Sequence, residues 1–230
     1  MGADRLAAVN RLPVATPVAR QSAGARPEGF VSGNVYDKYG TRNPLYRALM
    51  RRFLAACRGL LAIAEPRSLV EVGCGPGDLA RGLDPEATLP YVGTDLSLVQ
   101  VFAARRLRPG RRFVPAAASQ LPFRDRSVDL VVACEVLEHL DDPEAALAEA
   151  ARVSRGHVLV SVPWEPVWRL LNLARGAYWG ALGNTPGHVQ RFSRRALRRL
   201  VSRRLDLVAE RRPFPWTVLL ARKRAAAAQR

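Results

Sequence analysis

Lysine is nearly missing from this chain: Lys38 and Lys223 are the only two among 230 residues. The net charge of +16 is therefore almost all arginine. Arginine, alanine and proline are enriched together, as G+C-rich coding produces, so charge alone does not define a polyanion-binding face; contact with nucleic acid or an anionic membrane stays open on that ground. Cysteine is scarce too. Cys57, Cys74 and Cys134 stand in separate apolar segments without metal or redox spacing, which fits a reducing cytoplasm. No apolar run reaches the ~20 residues that cross a bilayer, and the first residues lack the apolar core of a signal peptide, so a soluble cytoplasmic protein is expected. Leu6 stands where a myristoylation signal carries Ser or Thr. No lysine follows a glycine loop in Walker fashion, which excludes that form of nucleoside triphosphate chemistry.

What is present suits one α/β domain and is organised around a single stretch. Leu69-Val70-Glu71-Val72 is an apolar β-type run, Gly73-Cys74-Gly75-Pro76-Gly77 a turn, and Asp78-Leu79 the opening of a helix. Glycines at alternate positions let the backbone turn sharply and let a ligand approach bare Cα atoms. A dinucleotide fingerprint needs its third glycine where Asp78 stands, and Pro76 removes one of the N–H donors such a loop aims at a pyrophosphate. Glu71 would repel a phosphate but suits an ammonium group.

Some ~20 residues beyond the glycines, Leu89 to Asp95 reads as a second strand ending in a carboxylate, where such folds place the ribose acceptor. Asp95 has a competing role as cap of the helix that follows, unless Ser97 takes it. Val128 to Cys134, nearly continuous and β-branched, has the character of a central parallel strand buried on both faces. Glu135 to Leu140 follows at its carboxyl end, where open α/β sheets bind ligands.

Four segments in this order, Val70 to Gly77, Val92 to Asp95, Leu121-Pro122-Phe123 through Ser127-Val128-Asp129, and Glu135 to Leu140, resemble the class I S-adenosylmethionine-dependent methyltransferases, in particular the type 11 methyltransferase domain branch. The resemblance covers roughly residues 68–163 and more loosely the chain out to 222. It implies a Rossmann-like α/β fold, a seven-stranded, mostly parallel sheet with helices on both faces. It also implies S-adenosylmethionine as cofactor, with Glu71, Gly73, Cys74, Gly75, Gly77, Asp95, Leu96 and Glu135 around it. Tyr36 or Tyr39, ahead of the first core helix, would close over the cofactor or pack as a turn. One position departs from the pattern: Ala117 stands where similar enzymes carry an acidic residue for the adenine amino group. That leaves the Ala118 backbone and the Ser119 hydroxyl as adenine contacts. Nucleobase amino-methyltransferases carry an Asn- or Asp-Pro-Pro-aromatic motif after the fourth strand, and Ala133-Cys134-Glu135-Val136 disfavours that specificity.

Taken in order, residues 1–29 read as a disordered arm and 30–222 as the domain, with 223–230 as a tail. Asn43-Pro44 has the look of an N-cap with proline at the first helical position. Arg111 to Pro115 is a candidate third strand, Pro143 opens a helix through Val153, and His157 to Pro163 gives the fifth strand. Residues 164–190 form an aromatic insertion: Trp164, Val167, Trp168, Leu171, Tyr178 and Trp179 make an amphipathic segment, followed by the turn-rich Gly183-Asn184-Thr185-Pro186-Gly187-His188. It is expected as a lid, with Trp164, Trp168 and Asn184 on the substrate side; plain packing on the sheet and a peripheral membrane contact through tryptophans and arginines are the alternatives. Ser193 is placed as a cap, and two final strands near 205–212 and 214–222 as a hairpin.

The expected reaction is methyl transfer to a small hydroxylated or lipid-like acceptor, with O-methylation favoured. Metal is not required by that chemistry, and none is expected. His188 is the first candidate for general base and His139 the second, because imidazole titrates near neutrality. The alternatives are a non-catalytic cofactor-binding scaffold with a basic surface and a nicotinamide oxidoreductase; the latter is opposed by Pro76 and Asp78.

Overall fold

The computed structural model describes residues 43–84, 87–174, 185 and 188–224. Tyr36, Tyr39, Asn184, the arm and the last six residues lie outside them. Helix α1, Pro44–Ala64, starts where Asn43 accepts from the Leu45 and Tyr46 N–H groups at 3.0 and 3.3 Å. Strand β1, Leu69–Val72, leads through the glycine turn into α2, Asp78–Leu83. Strand β2, Tyr91–Asp95, is followed by α3, Leu98–Leu107, and β3, Arg112–Pro115. Strand β4, Val128–Cys134, runs through a short 3-10 turn, Leu137–His139, to α4, Pro143–Val153. Strand β5, Ser154–Pro163, precedes α5, Glu165–Ala174. Helix α6, Arg194–Ser202, and strands β6, Leu205–Arg211, and β7, Trp216–Lys223, complete the described chain.

The strands form one seven-stranded sheet in the order β3-β2-β1-β4-β5-β7-β6. The first five pair in parallel, and β7 runs antiparallel between β5 and β6. The Rossmann-like sheet expected from the sequence is therefore the observed one. Strand order reverses between β1 and β4, which opens a crevice at their carboxyl ends, the position where α/β sheets take ligands.

Alternation along the strands divides the interior in two. Val70, Val72, Val131 and Val158 meet Leu147 of α4 and Leu197 of α6 in one core. Leu69, Leu130, Val132 and Leu159 meet Phe53 of α1, Leu79 of α2 and Val101 of α3 in the other. A strand with apolar residues on both faces needs this double cover, and β4 is buried along nearly its whole length for that reason. Trp216 fixes the second core at one end, with its ring 5.1 Å from Phe53 and 5.8 Å from Trp168.

Three expectations are corrected. Strand β5 begins at Ser154, not His157, because a register shift between Val128 and Leu130 lets the residues after α4 pair at once. Lys223 ends β7 rather than starting a tail. The inward side of α5 carries Trp168 and Asn172, while Leu171 faces out, since Trp168 Nε1 and Asn172 Nδ2 both donate to Thr185 Oγ1 at 2.9 and 3.1 Å. Trp168 thus belongs to the core beneath the sheet's edge.

Candidate active site

The glycine turn leaves β1 with Gly73, Gly75 and Gly77 all at positive φ (67°, 52° and 81°), a region that residues with a Cβ rarely enter. Gly73 is needed for a second reason. A Cβ there would stand 2.5 Å from Val136 Cγ2, so the turn and the segment after β4 pack together only without it. The turn is tied to β2 as well: the Cys74 N–H donates to the Thr94 carbonyl, and the Gly75 N–H donates to Asp95 Oδ2, both at 2.9 Å. Asp95 Oδ1 accepts from the Ser97 N–H at 2.9 Å, while the Ser97 hydroxyl caps α3. Asp95 therefore staples the turn, and each of its oxygens has a second lone pair to offer. Cys74 is buried and its thiol is held protonated, by burial first and by nearby carboxylates second.

Glu71 is 2% exposed and sits beneath the turn, where Oε2 accepts from the Tyr91 hydroxyl at 2.7 Å. Burial pushes its pKa up to about 8; Tyr91 and Arg111 lower it, and Asp95 and Asp78 raise it. Space for the Tyr91 hydroxyl exists because Gly93 has no side chain: a Cβ there would stand 2.7 Å from that oxygen and 2.6 Å from Phe113 Cδ1. Asp78 pairs with Arg108 at 2.8 Å at the mouth of the turn. Three acidic side chains thus surround one glycine turn in a chain of strongly positive net charge, Asp78 and Asp95 at its mouth and Glu71 beneath it, where burial favours the protonated form and a cationic group alongside would favour the ionised one. A pyrophosphate would be repelled, whereas a cationic ligand is favoured.

On the β3 side, the Ala116 N–H donates to the Asp95 carbonyl at 3.0 Å, and Arg152 donates to the Phe123 and Leu121 carbonyls at 2.9 and 3.1 Å. These bonds fold the segment after β3 towards the mouth, with Ala118 half-buried and Ser119 exposed. Leu96 is exposed beside it.

Glu135, the first residue after β4, has a left-handed backbone (φ 58°), which costs a non-glycine residue roughly 1–3 kcal/mol. Its N–H donates to the Ser161 carbonyl at 3.0 Å, and its carboxylate accepts from Ser161 Oγ at 3.3 Å and Trp216 Nε1 at 2.8 Å. One 3-10 turn further on, the His139 ring stands edge to face with His188, centroids 4.9 Å apart. His188 Nδ1 lies 2.7 Å from Glu165 Oε1, with both side chains almost fully buried. Glu165, at the start of α5, was missed in the sequence. Its only visible signal was an acidic residue two positions after the fifth strand. Trp164 stands apart from this group under the Arg194 guanidinium, 3.9 Å from its ring centroid.

The structure so brings Glu71, Gly73, Cys74, Gly75, Gly77, Asp95 and Glu135 to the carboxyl ends of β1, β2 and β4, and sets His139 and His188 against each other one short turn beyond β4. A Rossmann-like sheet with an acidic glycine turn at its reversal point defines a class I nucleoside-cofactor enzyme fold. The chain belongs to the methyltransferase domain family, whose sequence model matches residues 42–207.

The chain is 35% identical over 141 residues to an uncharacterized methyltransferase of Mycobacterium tuberculosis, covering 57% of this chain and 54% of that protein. It is 28% identical over 141 residues to a demethylmenaquinone methyltransferase of Renibacterium salmoninarum, covering 60% and 59%. Its matches span between 32% and 59% of the length of such curated relatives. Among solved structures, magnesium protoporphyrin IX methyltransferase of Synechocystis PCC 6803 with bound SAH shares the fold, with a TM-score of 0.60, 19% identity, and coverage of 80% of this chain and 90% of that one.

Proposed function

We propose that this chain transfers the methyl group of S-adenosylmethionine to a hydroxyl of a small or lipid-like acceptor. The observation that carries the cofactor half is the acidic glycine turn: Asp95 offers one lone pair per oxygen to ribose hydroxyls, and Glu71, buried beneath the turn, can give up its proton to become the partner of a ligand's ammonium group. When bound, S-adenosylmethionine supplies an activated methyl, so that the acceptor's oxygen–carbon bond forms as the carbon–sulfur bond breaks and its electron pair stays on sulfur. The residues' task is then to align the acceptor and take its proton.

His188 is the residue proposed for that. With Nδ1–H donating to Glu165, the lone pair sits on Nε2, and the Glu165 carboxylate stabilises the imidazolium formed when Nε2 accepts the proton. His139, against the same ring, is the second candidate for that role. The relative named for demethylmenaquinone supports a lipid-like acceptor class.

The test starts with calorimetry, in which S-adenosylhomocysteine binds and NAD does not; the reverse order would return the chain to the oxidoreductases. Methyl-labelled donor is then offered with a panel of hydroxylated aromatic and isoprenoid compounds. Label recovered as a methyl ether is expected, and label on carbon or nitrogen alone refutes O-methylation. His188→Ala should lower kcat by about 10²–10⁴ without changing donor affinity.

A further inference from the structure

Two of the chain's three histidines converge from distant segments, and they do not converge alone. One ring nitrogen each of His139 and His188 and one carboxylate oxygen of Glu138 all lie within 4.8 Å of one another. The backbone fixes this meeting. The Val189 and Gln190 N–H groups both donate to the Glu138 carbonyl at 2.9 Å, and the His139 N–H closes the 3-10 turn on the Val136 carbonyl at 3.0 Å. Glu138 is 1% exposed. Behind His188 stands Glu165, whose Oε1 takes the Nδ1 contact and whose Oε2 is buried with no hydrogen-bond partner among the described residues.

Two buried carboxylates and two imidazoles thus share one small region. A carboxylate holding the far nitrogen of a histidine is also the usual outer support of a metal-ligating imidazole, since it fixes the tautomer and turns the other nitrogen's lone pair towards the ion. We propose that Glu138, His139 and His188 bind one divalent transition-metal ion, with Glu165 as the outer partner of His188. Ligands ~2.0–2.2 Å from a tetrahedral zinc ion stand about 3.3–3.6 Å apart, so the three atoms, now within 4.8 Å of one another, close by roughly an ångström to share one. Two nitrogens and one oxygen suit zinc, iron(II) or cobalt(II) better than magnesium or calcium, which take oxygen donors. Three protein ligands leave a position open for an exogenous oxygen.

This proposal rests on the reading of the His139–His188 face as the acceptor side and deepens it. In the loaded protein an acceptor hydroxyl at the open position would lose its proton to water more readily, and His188 would serve as ligand in place of base.

The experiment uses full-length protein stripped with a chelator and titrated with Zn²⁺, and with Co²⁺ as the spectroscopic probe. One equivalent of either ion per chain is expected, with a visible Co²⁺ band. Glu138→Gln and His139→Ala should each abolish stoichiometric binding. Glu165→Gln should weaken it 10- to 100-fold, the usual effect of losing an outer-shell partner. His157→Ala, at the third histidine on β5, should bind as the parent does. S-adenosylhomocysteine binding and thermal unfolding report folding for every variant, and the two Glu→Gln changes keep the side-chain volume if His139→Ala fails to fold. The proposal is overturned if the parent binds S-adenosylhomocysteine but no equivalent of metal, if the Glu138→Gln and Glu165→Gln proteins bind metal as the parent does, or if binding is lost with His157. Binding of S-adenosylhomocysteine without metal leaves the methyltransferase reading intact, and metal without S-adenosylhomocysteine does the opposite.

Discussion

Replacing Asp95 by alanine separates two functions that one carboxylate performs. In the structure it accepts the Gly75 and Ser97 amides, one on each oxygen, at 2.9 Å. Both amides are near the surface, so water can replace the lost acceptor, and the stability cost is about 1 kcal/mol for each bond. The second lone pairs are those assigned to the cofactor's ribose. Hydrogen bonds to a charged acceptor contribute about 1.5–3 kcal/mol, so Asp95→Ala should weaken S-adenosylhomocysteine binding about ten- to 150-fold. A loosened turn would weaken binding too, which affinity alone cannot separate from lost ribose contacts. Calorimetry with S-adenosylhomocysteine and its 2′-deoxy counterpart, on parent and variant, completes a double cycle. If Asp95 holds the ribose, removing the hydroxyl costs affinity in the parent and little in the variant, with a coupling of at least about 1 kcal/mol. An equal cost in both proteins refutes the ribose assignment and leaves Asp95 as a staple.

The pKa of Glu71, raised from 4.5 to about 8, means that the folded protein binds a proton the unfolded chain releases, so this group's contribution is full below pH 4.5 and is lost as pH rises through about 8. Glu71→Gln, neutral throughout, should therefore gain stability relative to the parent across that window, by at most about 1.4 kcal/mol per pH unit, and urea unfolding at pH 5, 7 and 9 would show it; parallel curves would place an ionised carboxylate there. Gly93→Ala should destabilise by about 1–3 kcal/mol, because its methyl meets an aromatic ring and the Tyr91 hydroxyl rather than a flexible chain end. A melting temperature within a degree of the parent would contradict that packing.

The elements that local chemistry specifies were legible in the chain. Asn43-Pro44, Ser97, Pro143 and Ser193 start their helices where a side-chain acceptor or a fixed φ directs, and β4 could be bounded from its apolar run alone. The glycine turn and Asp95 were legible as a pair because their spacing follows from one strand–helix–strand unit. Glu165 was not, since its meaning depends on His188, which reaches it from another segment. The same holds for Tyr91, whose hydroxyl finds Glu71 only after two strands pair in parallel and Gly93 leaves the gap. Asn172 carried no signal, because polarity at one position says nothing about a buried partner; Thr185 supplies it.

Strand β7 comes after β6 in the chain yet lies inside it in the sheet, and its first residue, Trp216, donates to the strained Glu135. Synthesis from the N-terminus therefore delivers the inner strand after the outer one. Until residues 216–223 have emerged, β5 has an open edge and Glu135 has no indole to hold its carboxylate. A nascent chain could carry a complete glycine turn while Glu135 beside it still lacked its support, so on the ribosome this end of the sheet would be finished only when its last described strand is in place.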